Sequence, residues 1–343
     1  RTARANFRNK FPEKASEIDA WDVATFLNKA KLTIKGRITR AALLLLGKDE
    51  SEHFLKPADP KIRWILKGAH GQDKDYLIVG PPLLLAVDRV YARIRNLKYR
   101  YLKDGSLFPQ EADQYEPYSI REALNNCIAH QDYTLSGRIN VIEEEDRLVF
   151  TNLGDFAPPS VERVVLDNAP EEHYRNPFLA SAMFNLKMVD TAGGGIRKLF
   201  QFQRQRFFPM PDYELDSRRV KLTLVGKVLD LEYARHLARN PQLSLEEVMA
   251  FDHAWKRNAG GTIGRSADLP TVSSSPKSSP KSSPKSSPKK GDPILSLLRS
   301  EPDLSTDAMG VRLGLTKRAI LKRIQKLKSE GRLYREGAAR SGK

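Results

Sequence analysis

The 343-residue chain has one cysteine, Cys127. A lone thiol cannot close a disulfide within the chain, and it cannot build a Cys-based zinc site. No apolar run approaches the roughly 18 residues needed to cross a bilayer. The N-terminus lacks the order of charged, apolar and small residues that marks a secretory leader. The phosphate-binding signature Gly-x-x-x-x-Gly-Lys-Ser/Thr is also missing, so the chain has no P-loop motor. These absences lead to the expectation of a cytoplasmic, reducing setting away from any membrane. The chain starts at Arg1, and RTARANFRNK reads like a helix from the middle of a protein. The expectation is a fragment whose upstream domain is absent.

Negative charge is also in short supply, and its deficit is uneven. The net charge is +16 overall: +5 over residues 1–258, +5 over 259–291 and +6 over 292–343. The last quarter of the chain therefore carries most of the excess, as expected for a segment that meets a polyanion.

Apolar periodicity divides the rest. Helices are predicted over 19–30 and 81–99, the latter opened by Pro81–Pro82. ITRAALLLLG (38–47) is a buried helix or strand. KIRWILKG (61–68) alternates like a strand, and DYLIVG (75–80) is placed to pair with it. Residues 1–116 thus form a small α+β region. A second unit, 117–227, has a helix at 119–130, then two strands (137–154) around the acidic turn Glu143–Asp146. Short helices follow at 161–167 and 176–186, a helix at 193–207 begins inside a glycine run, and a hairpin closes at 213–226. Residues 228–258 form a helical extension, with Ser244, Glu246 and Glu247 suited to a helix start. The SSPK repeats within 259–291 contain too little apolar surface to fold and predict an extended linker.

The stretch REALNNCIAHQDY (121–133) carries the chemistry. Glu122 and Asn126 are one helical turn apart and share a face. A carboxylate there can take a proton from water attacking a γ-phosphate, and an amide oxygen beside it suits Mg²⁺, which prefers oxygen donors. Downstream, Gly193, Gly194 and Gly195 let backbone N–H groups approach phosphates at the start of a helix. Around this pair, His130 reads as a packing residue, Asp132 as a cap at the end of the helix and Cys127 as a small buried side chain. Arg175 either contacts phosphate from a lid or pairs with the acidic turn.

This order of motifs resembles the GHKL (Bergerat-fold) ATPases, and more narrowly the prokaryotic ATP-binding family related to the RecG C-terminus. The resemblance is strong over about 117–226 and looser over 19–258. It rests on the Glu122-x-x-x-Asn126 helix, Asn152-Leu153-Gly154, Arg175-Asn176-Pro177 and the Gly193–Gly195 loop. It implies an α+β fold with a two-layer GHKL-like sandwich and a mixed sheet, and ATP and Mg²⁺ as ligands. It makes Glu122 the general base and Asn126 the magnesium ligand. Asn152 stands where most relatives carry an Asp that pairs with the adenine amino group, and Gly154 is the turn glycine beneath the base. Leu153 replaces the usual Pro. Gln131 replaces the commoner Arg, removing a cation that could touch phosphate. Relatives often carry a Schlafen-like AlbA domain upstream.

The tail, 292–343, has the pattern of a winged helix-turn-helix and resembles winged-helix regulators. Leu313-Gly314-Leu315 makes the turn and Thr316 caps the recognition helix. Ile320, Ile324 and Leu327 form its apolar stripe. Lys317, Arg318, Lys322, Arg323 and Lys326 occupy the other faces, and Arg335 sits in the first wing strand, where a DNA reader meets bases and phosphates. The same fold can serve protein contacts. The sequence therefore supports an ATP-binding, double-stranded-DNA-binding transcriptional regulator, possible as a homodimer. Two alternatives stay open: a DNA-transaction or defence ATPase, and a DNA-binding regulator with a degenerate nucleotide pocket. If the tail binds DNA, deleting 292–343 abolishes a salt-sensitive DNA affinity measured by fluorescence anisotropy; an unchanged affinity overturns that assignment.

Overall fold

The computed structural model describes residues 1–102, 109–167, 174–189 and 194–258, together with Ile320 and Ile324. The chain divides into two units, residues 1–269 and 270–343. The description below concerns the first of these units.

The N-terminal region is helical: α1 (Thr2–Lys10), α2 (Ala15–Ala20) and α3 (Val23–Lys29), then a short hairpin of β1 (Thr33–Ile34) and β2 (Arg37–Ile38), and α4 (Arg40–Leu46). The expected helix over 19–30 begins only at Val23. Asp22 is its N-cap and accepts a hydrogen bond from the Thr25 N–H (2.7 Å). The apolar run 38–47 resolves as a helix because Thr39 caps it in the same way, through the Ala42 N–H.

Next come β3 (Ile62–Lys67), β4 (Asp73–Val79) and α5 (Leu83–Arg93). The helix predicted over 81–99 stops at Arg93. Asn96 takes φ 39°, accepts from the Tyr115 N–H (2.7 Å) and donates to the Tyr115 carbonyl (3.1 Å). That tie turns the chain into the strand pair β5 (Lys98–Leu102) and β6 (Pro109–Asp113), which the apolar periodicity did not signal. Then follow α6 (Pro117–His130), β7 (Ile139–Glu143), β8 (Arg147–Leu153), α7 (Val161–Asp167), α8 (Pro177–Asn185), α9 (Gly195–Gln205), β9 (Asp212–Asp216), β10 (Arg219–Val225), α10 (Leu231–Arg239) and α11 (Leu245–Asn258).

Six strands form one mixed sheet in the order β4-β3-β7-β8-β10-β9. All neighbours are antiparallel except β3 and β7, which are parallel. The mixed α+β class is as expected. The position of β3 and β4 is not: the region before residue 116 supplies two strands of the sheet that the following region completes.

The register aligns Trp64, Val141, Phe150 and Leu222 across four strands, all buried. On this row lies α6, whose Ile120, Leu124 and Ile128 recur every four residues and are fully buried. Helices α4, α5 and α8 extend the same core. Beneath Trp64, the buried Glu143 carboxylate accepts from Trp64 Nε1 (3.0 Å) and from Arg95 Nε (2.6 Å). The acidic turn is otherwise neutralised locally, by Arg147 against Asp146 and Glu144.

A second core lies between α7, α9, α10 and α11, around Val165, Phe200, Met210, Tyr233, Leu237 and Val248. Its last helix opens on a reciprocal cap. Ser244 Oγ accepts from the Glu247 N–H (3.2 Å), and Glu247 Oε2 accepts from the Ser244 N–H (2.7 Å). Within this core Asp252 is fully buried. It accepts from the Met210 N–H (2.9 Å) and the Tyr233 hydroxyl (2.8 Å), and pairs with Lys256 Nζ (2.8 Å). Asp252→Ala takes the acceptor from the Met210 N–H and the Tyr233 hydroxyl and the nearest carboxylate from Lys256, which keeps the Met210 carbonyl (3.0 Å) and Asp212 (3.7 Å). We expect it to cost about 3–5 kcal/mol in urea unfolding, the range for breaking a buried ion pair, while Ser244→Ala costs only about 1 kcal/mol.

Candidate functional site

The burial of Ile120, Leu124 and Ile128 decides what α6 shows on its other side. Glu122, Asn126, Ala129 and His130 fall on one stripe and line a cavity of ≈ 410 Å³. Asn126 Nδ2 donates to Glu122 Oε1 (3.2 Å), which leaves the Asn126 amide oxygen facing away from the carboxylate.

Opposite this pair, α9 begins. Gly194 is its N-cap with φ 77°, a left-handed conformation suited to glycine, and Gly195 is the first helical residue. The approach at Gly195 is so close that a Cβ there would stand 1.7 Å from Glu122 Oε1. The carboxylate thus lies against the first residue of α9, among the unpaired N–H groups and partial positive charge of a helix N-terminus. Gly193, the third expected glycine, lies outside the described residues. The first turn of α9 is fixed from behind, because Arg197 Nη1 donates to the carbonyls of Val165 (2.8 Å) and Leu166 (3.1 Å) at the end of α7.

A second, smaller cavity of ≈ 70 Å³ adjoins the first and shares Asn126, His130 and Ile196 with it. Its walls are mostly apolar (Cys127, Phe150, Phe156, Tyr213, Val220, Leu222), and Asn152 is its buried polar group. Asn152 Nδ2 donates to the Leu153 carbonyl (3.2 Å), so its amide oxygen is the acceptor left over. Cys127 is a small buried residue, as expected, and burial pushes its thiol up to about 12.

Gly154 has φ 112°, and a Cβ there would come within 3.0 Å of Arg175 Nε. The guanidinium therefore packs on the glycine. Arg175 pairs with Asp132 (3.4 Å) and Asp155 and not with the acidic turn, which was one of its two expected roles. The buried Arg175 Nε has no hydrogen-bond partner among the described residues.

Two neighbouring assignments also change. Asp132 does not cap α6: its Oδ1 accepts from the Thr134 N–H (2.9 Å) and hydroxyl (2.6 Å), which starts the following turn. Those bonds, the Thr134 hydroxyl first, hold its pKa below the ordinary aspartate value. Gln131 is buried. It accepts from the Leu153 N–H (2.8 Å) and donates to the Gly137 carbonyl (2.9 Å). Its side chain clips α6 to the end of β8 and lines neither cavity. Sequence reasoning placed Asn176 in a motif without giving it a role: its Nδ2 donates to the carbonyls of Ala129 (3.0 Å) and Gln131 (2.9 Å). It closes the C-terminal end of α6, where backbone carbonyls lack helical partners. Asn125 ties the loop after α8 to α6 by donating to the Met188 carbonyl (2.6 Å).

The tail residues expected to meet DNA, Thr316, Lys317, Arg318, Lys322, Arg323, Lys326 and Arg335, lie outside the described residues. Of that segment only Ile320 and Ile324 are described; both are helical and Ile320 is fully buried. No helix among the described residues is long and apolar enough to cross a membrane.

Comparison with known proteins converges on the same region. Residues 137–224 match the family model described as "Putative ATP-dependent DNA helicase recG C-terminal", and residues 1–58 match a domain of unknown function, DUF8451. The chain therefore carries an ATPase-type domain of the RecG C-terminal-like kind. That match starts after α6: Asn152, Gly154, Arg175 and the glycine loop lie inside it, Glu122 and Asn126 before it. No curated protein matches the chain. Among solved structures the chain is similar to the DIP2311 protein of Corynebacterium diphtheriae, at 19% identity and a TM-score of 0.54, over 94% of this chain and 56% of that one. The likeness is one of fold, and this chain spans little more than half of that one's length.

His130 gives the site a pH dependence. Its ring stacks on Tyr174 (centroids 6.0 Å apart). Burial, then the neighbouring Arg175 charge, lowers its pKa from 6.5. The unfolded chain therefore holds that proton more tightly than the folded one. Stability from neutral His130 is complete above pH 6.5 and is lost as pH falls below it. We expect the urea midpoint to drop between about pH 7 and pH 5.5, and His130→Gln to flatten that slope. The Asp132 contribution falls near pH 4 and below, outside this window.

Proposed function

We propose that the two joined cavities bind ATP with Mg²⁺, and that the chain is a nucleotide-responsive DNA-binding regulator. The observation that carries the nucleotide reading is the meeting of Glu122, Asn126 and the first residue of α9 on one cavity. The adenine belongs at the smaller, apolar end. The Asn152 oxygen there can accept from an exocyclic amino group, and Gly154 keeps the backbone low beneath the ring. At ≈ 70 Å³ this end is tight, so seating a base requires the 155–158 loop or Ile196 to give way. The phosphates belong at the larger end, where the α9 N–H groups are donors to anions.

Mg²⁺ suits this donor set. Among the described residues no group of three or more His, Cys, Asp or Glu forms a protein cage. A single amide oxygen from Asn126 beside the Glu122 carboxylate is the sparse oxygen set that the ion uses when substrate phosphates complete its shell. Bound there, Mg²⁺ would supply the positive charge that lets phosphates approach Glu122. The DNA-binding part of the proposal is supported by the +6 charge of residues 292–343 and by the helix-turn-helix pattern.

A second reading, a true ATPase, is favoured by the position of Glu122. Its carboxylate faces the start of α9, where a terminal phosphate would sit, and it can take a proton from an attacking water.

One set of measurements separates these readings. Calorimetric titration of the full chain with a non-hydrolysable ATP analogue and Mg²⁺ should show binding, weakened roughly tenfold or more by Asn126→Ala. No binding at millimolar ligand overturns the nucleotide reading. If the chain is an ATPase, Glu122→Ala abolishes phosphate release while retaining analogue binding; if it only senses nucleotide, wild type and variant alike release none.

A further inference from the structure

The larger cavity is not lined by the ATPase-type domain alone. Lys31, from the segment that matches a domain of unknown function, is also on its wall, with Glu122, Asn126, Gly194 and Gly195. We propose that Lys31 is a phosphate-binding residue, an ammonium delivered by the N-terminal segment to the terminal phosphates of a bound nucleotide. The proposal rests on the nucleotide reading above and adds to it the residue that distinguishes a triphosphate from shorter nucleotides.

Three observations support it. The first is charge. Among the described lining residues Lys31 is the sole lysine or arginine, on a wall that also carries the acidic Glu122. The start of α9 offers only about half a unit of positive charge, well short of what a triphosphate brings. None of the ion pairs among the described residues engages Lys31, and its side chain is exposed.

The second is how firmly the backbone holds it. Lys31 ends α3 in a Schellman motif: its N–H donates to the Asn28 carbonyl (3.1 Å), and the Leu32 N–H donates to the Leu27 carbonyl (2.9 Å). Ala30 and Leu32 on either side are fully buried. Lys31 itself has φ 62°, where glycine is the usual occupant. Strain alone does not single it out, since Lys187 and Phe207 end α8 and α9 in the same conformation. Lys31 is the one of the three that lines the cavity.

The third is mechanical continuity. Lys10 of α1 places its ammonium over the Phe184 ring (3.9 Å), and Phe184 lines the same cavity. The N-terminal helices are therefore packed on the cavity wall, and α1 and α3 belong to the core that holds α6.

The conformation also provides a clean variant. Lys31→Gly removes the ammonium and keeps a backbone that glycine adopts freely, so the fold should be retained or slightly stabilised. Titrate the full-length chain and this variant with Mg²⁺ and, in turn, a non-hydrolysable ATP analogue, ADP and AMP, and record the melting temperature of each. The proposal expects an unchanged or higher melting temperature and an affinity for the triphosphate lower by roughly ten- to a hundredfold. The loss should be smaller for ADP and absent for AMP, with the wild-type advantage shrinking in high salt. A variant that binds the triphosphate like wild type, or that loses AMP by the same factor, overturns the role of Lys31 and leaves the nucleotide site standing. A wild-type chain that binds none of the three nucleotides overturns both.

Discussion

The candidate site depends on a single close approach. Glu122 lies against the Cα of Gly195, at a distance that leaves no room for a side chain. That contact brings the polar stripe of α6 against the start of α9, and both helices are held there by forces that have nothing to do with a ligand. On the α6 side, Ile120, Leu124 and Ile128 are buried on the sheet row made by Trp64, Val141, Phe150 and Leu222. Burying each such side chain contributes roughly 1.5–3 kcal/mol, enough to fix the rotation of α6. On the α9 side, Arg197 anchors the first turn to the end of α7, and Leu199 and Phe200 bury the opposite face. The carboxylate, the amide and the helix start are therefore preorganised by packing, as the proposed phosphate site requires.

The site is not the property of the region that matches the ATPase-type family alone. That match begins at residue 137, after the helix that carries Glu122 and Asn126. The sheet beneath that helix takes β3 and β4 from further upstream, through the parallel pairing of β3 with β7. Removing residues 1–116 would delete two of six strands, expose the edge of β7 and uncover part of the apolar face of α6. An exposed edge of that kind invites pairing with other chains. The N-terminal region is thus part of the same folding unit as the cavity, which is a physical reason to expect nucleotide binding to be felt there.

Much of the local structure was legible in the sequence, for identifiable reasons. The helix at Pro117–His130, the strands on either side of the acidic turn and the closing hairpin depend on short-range periodicity and turn residues, and they fall close to where those signals put them. That Glu122 and Gly195 come together was implied by the family resemblance. What was not legible depends on partners distant in the chain. Nothing near residue 62 announces that β3 will pair with a strand 77 residues later. Nothing around Gln131 announces that its amide will bridge Leu153 and Gly137; on sequence it was indistinguishable from a surface position facing phosphate. Arg175 illustrates the same limit. Its charge was readable, but its choice of Asp132 and Asp155 over the acidic turn is set by Gly154, whose missing side chain leaves room for the guanidinium.

One helix belongs to both cores. Leu199 of α9 packs into the core beneath the six-stranded sheet, whereas Phe200, one residue on, packs with Val165, Met210 and the helices α10 and α11. Ile196, which lines both cavities, leans on that second core as well. Close-packed interiors do not deform smoothly; a displaced element moves its neighbours with it or repacks. An anion that pulled on the N–H groups at Gly194 and Gly195 would therefore load α9 along its axis, and the load would be shared between the sheet and the α10–α11 pair. Asp252, bound at once to the Met210 N–H, the Tyr233 hydroxyl and Lys256, makes that pair a stiff receiver. The side of α9 away from the cavity is where a change in occupancy would be transmitted to the α10–α11 pair, in which the described part of this unit ends.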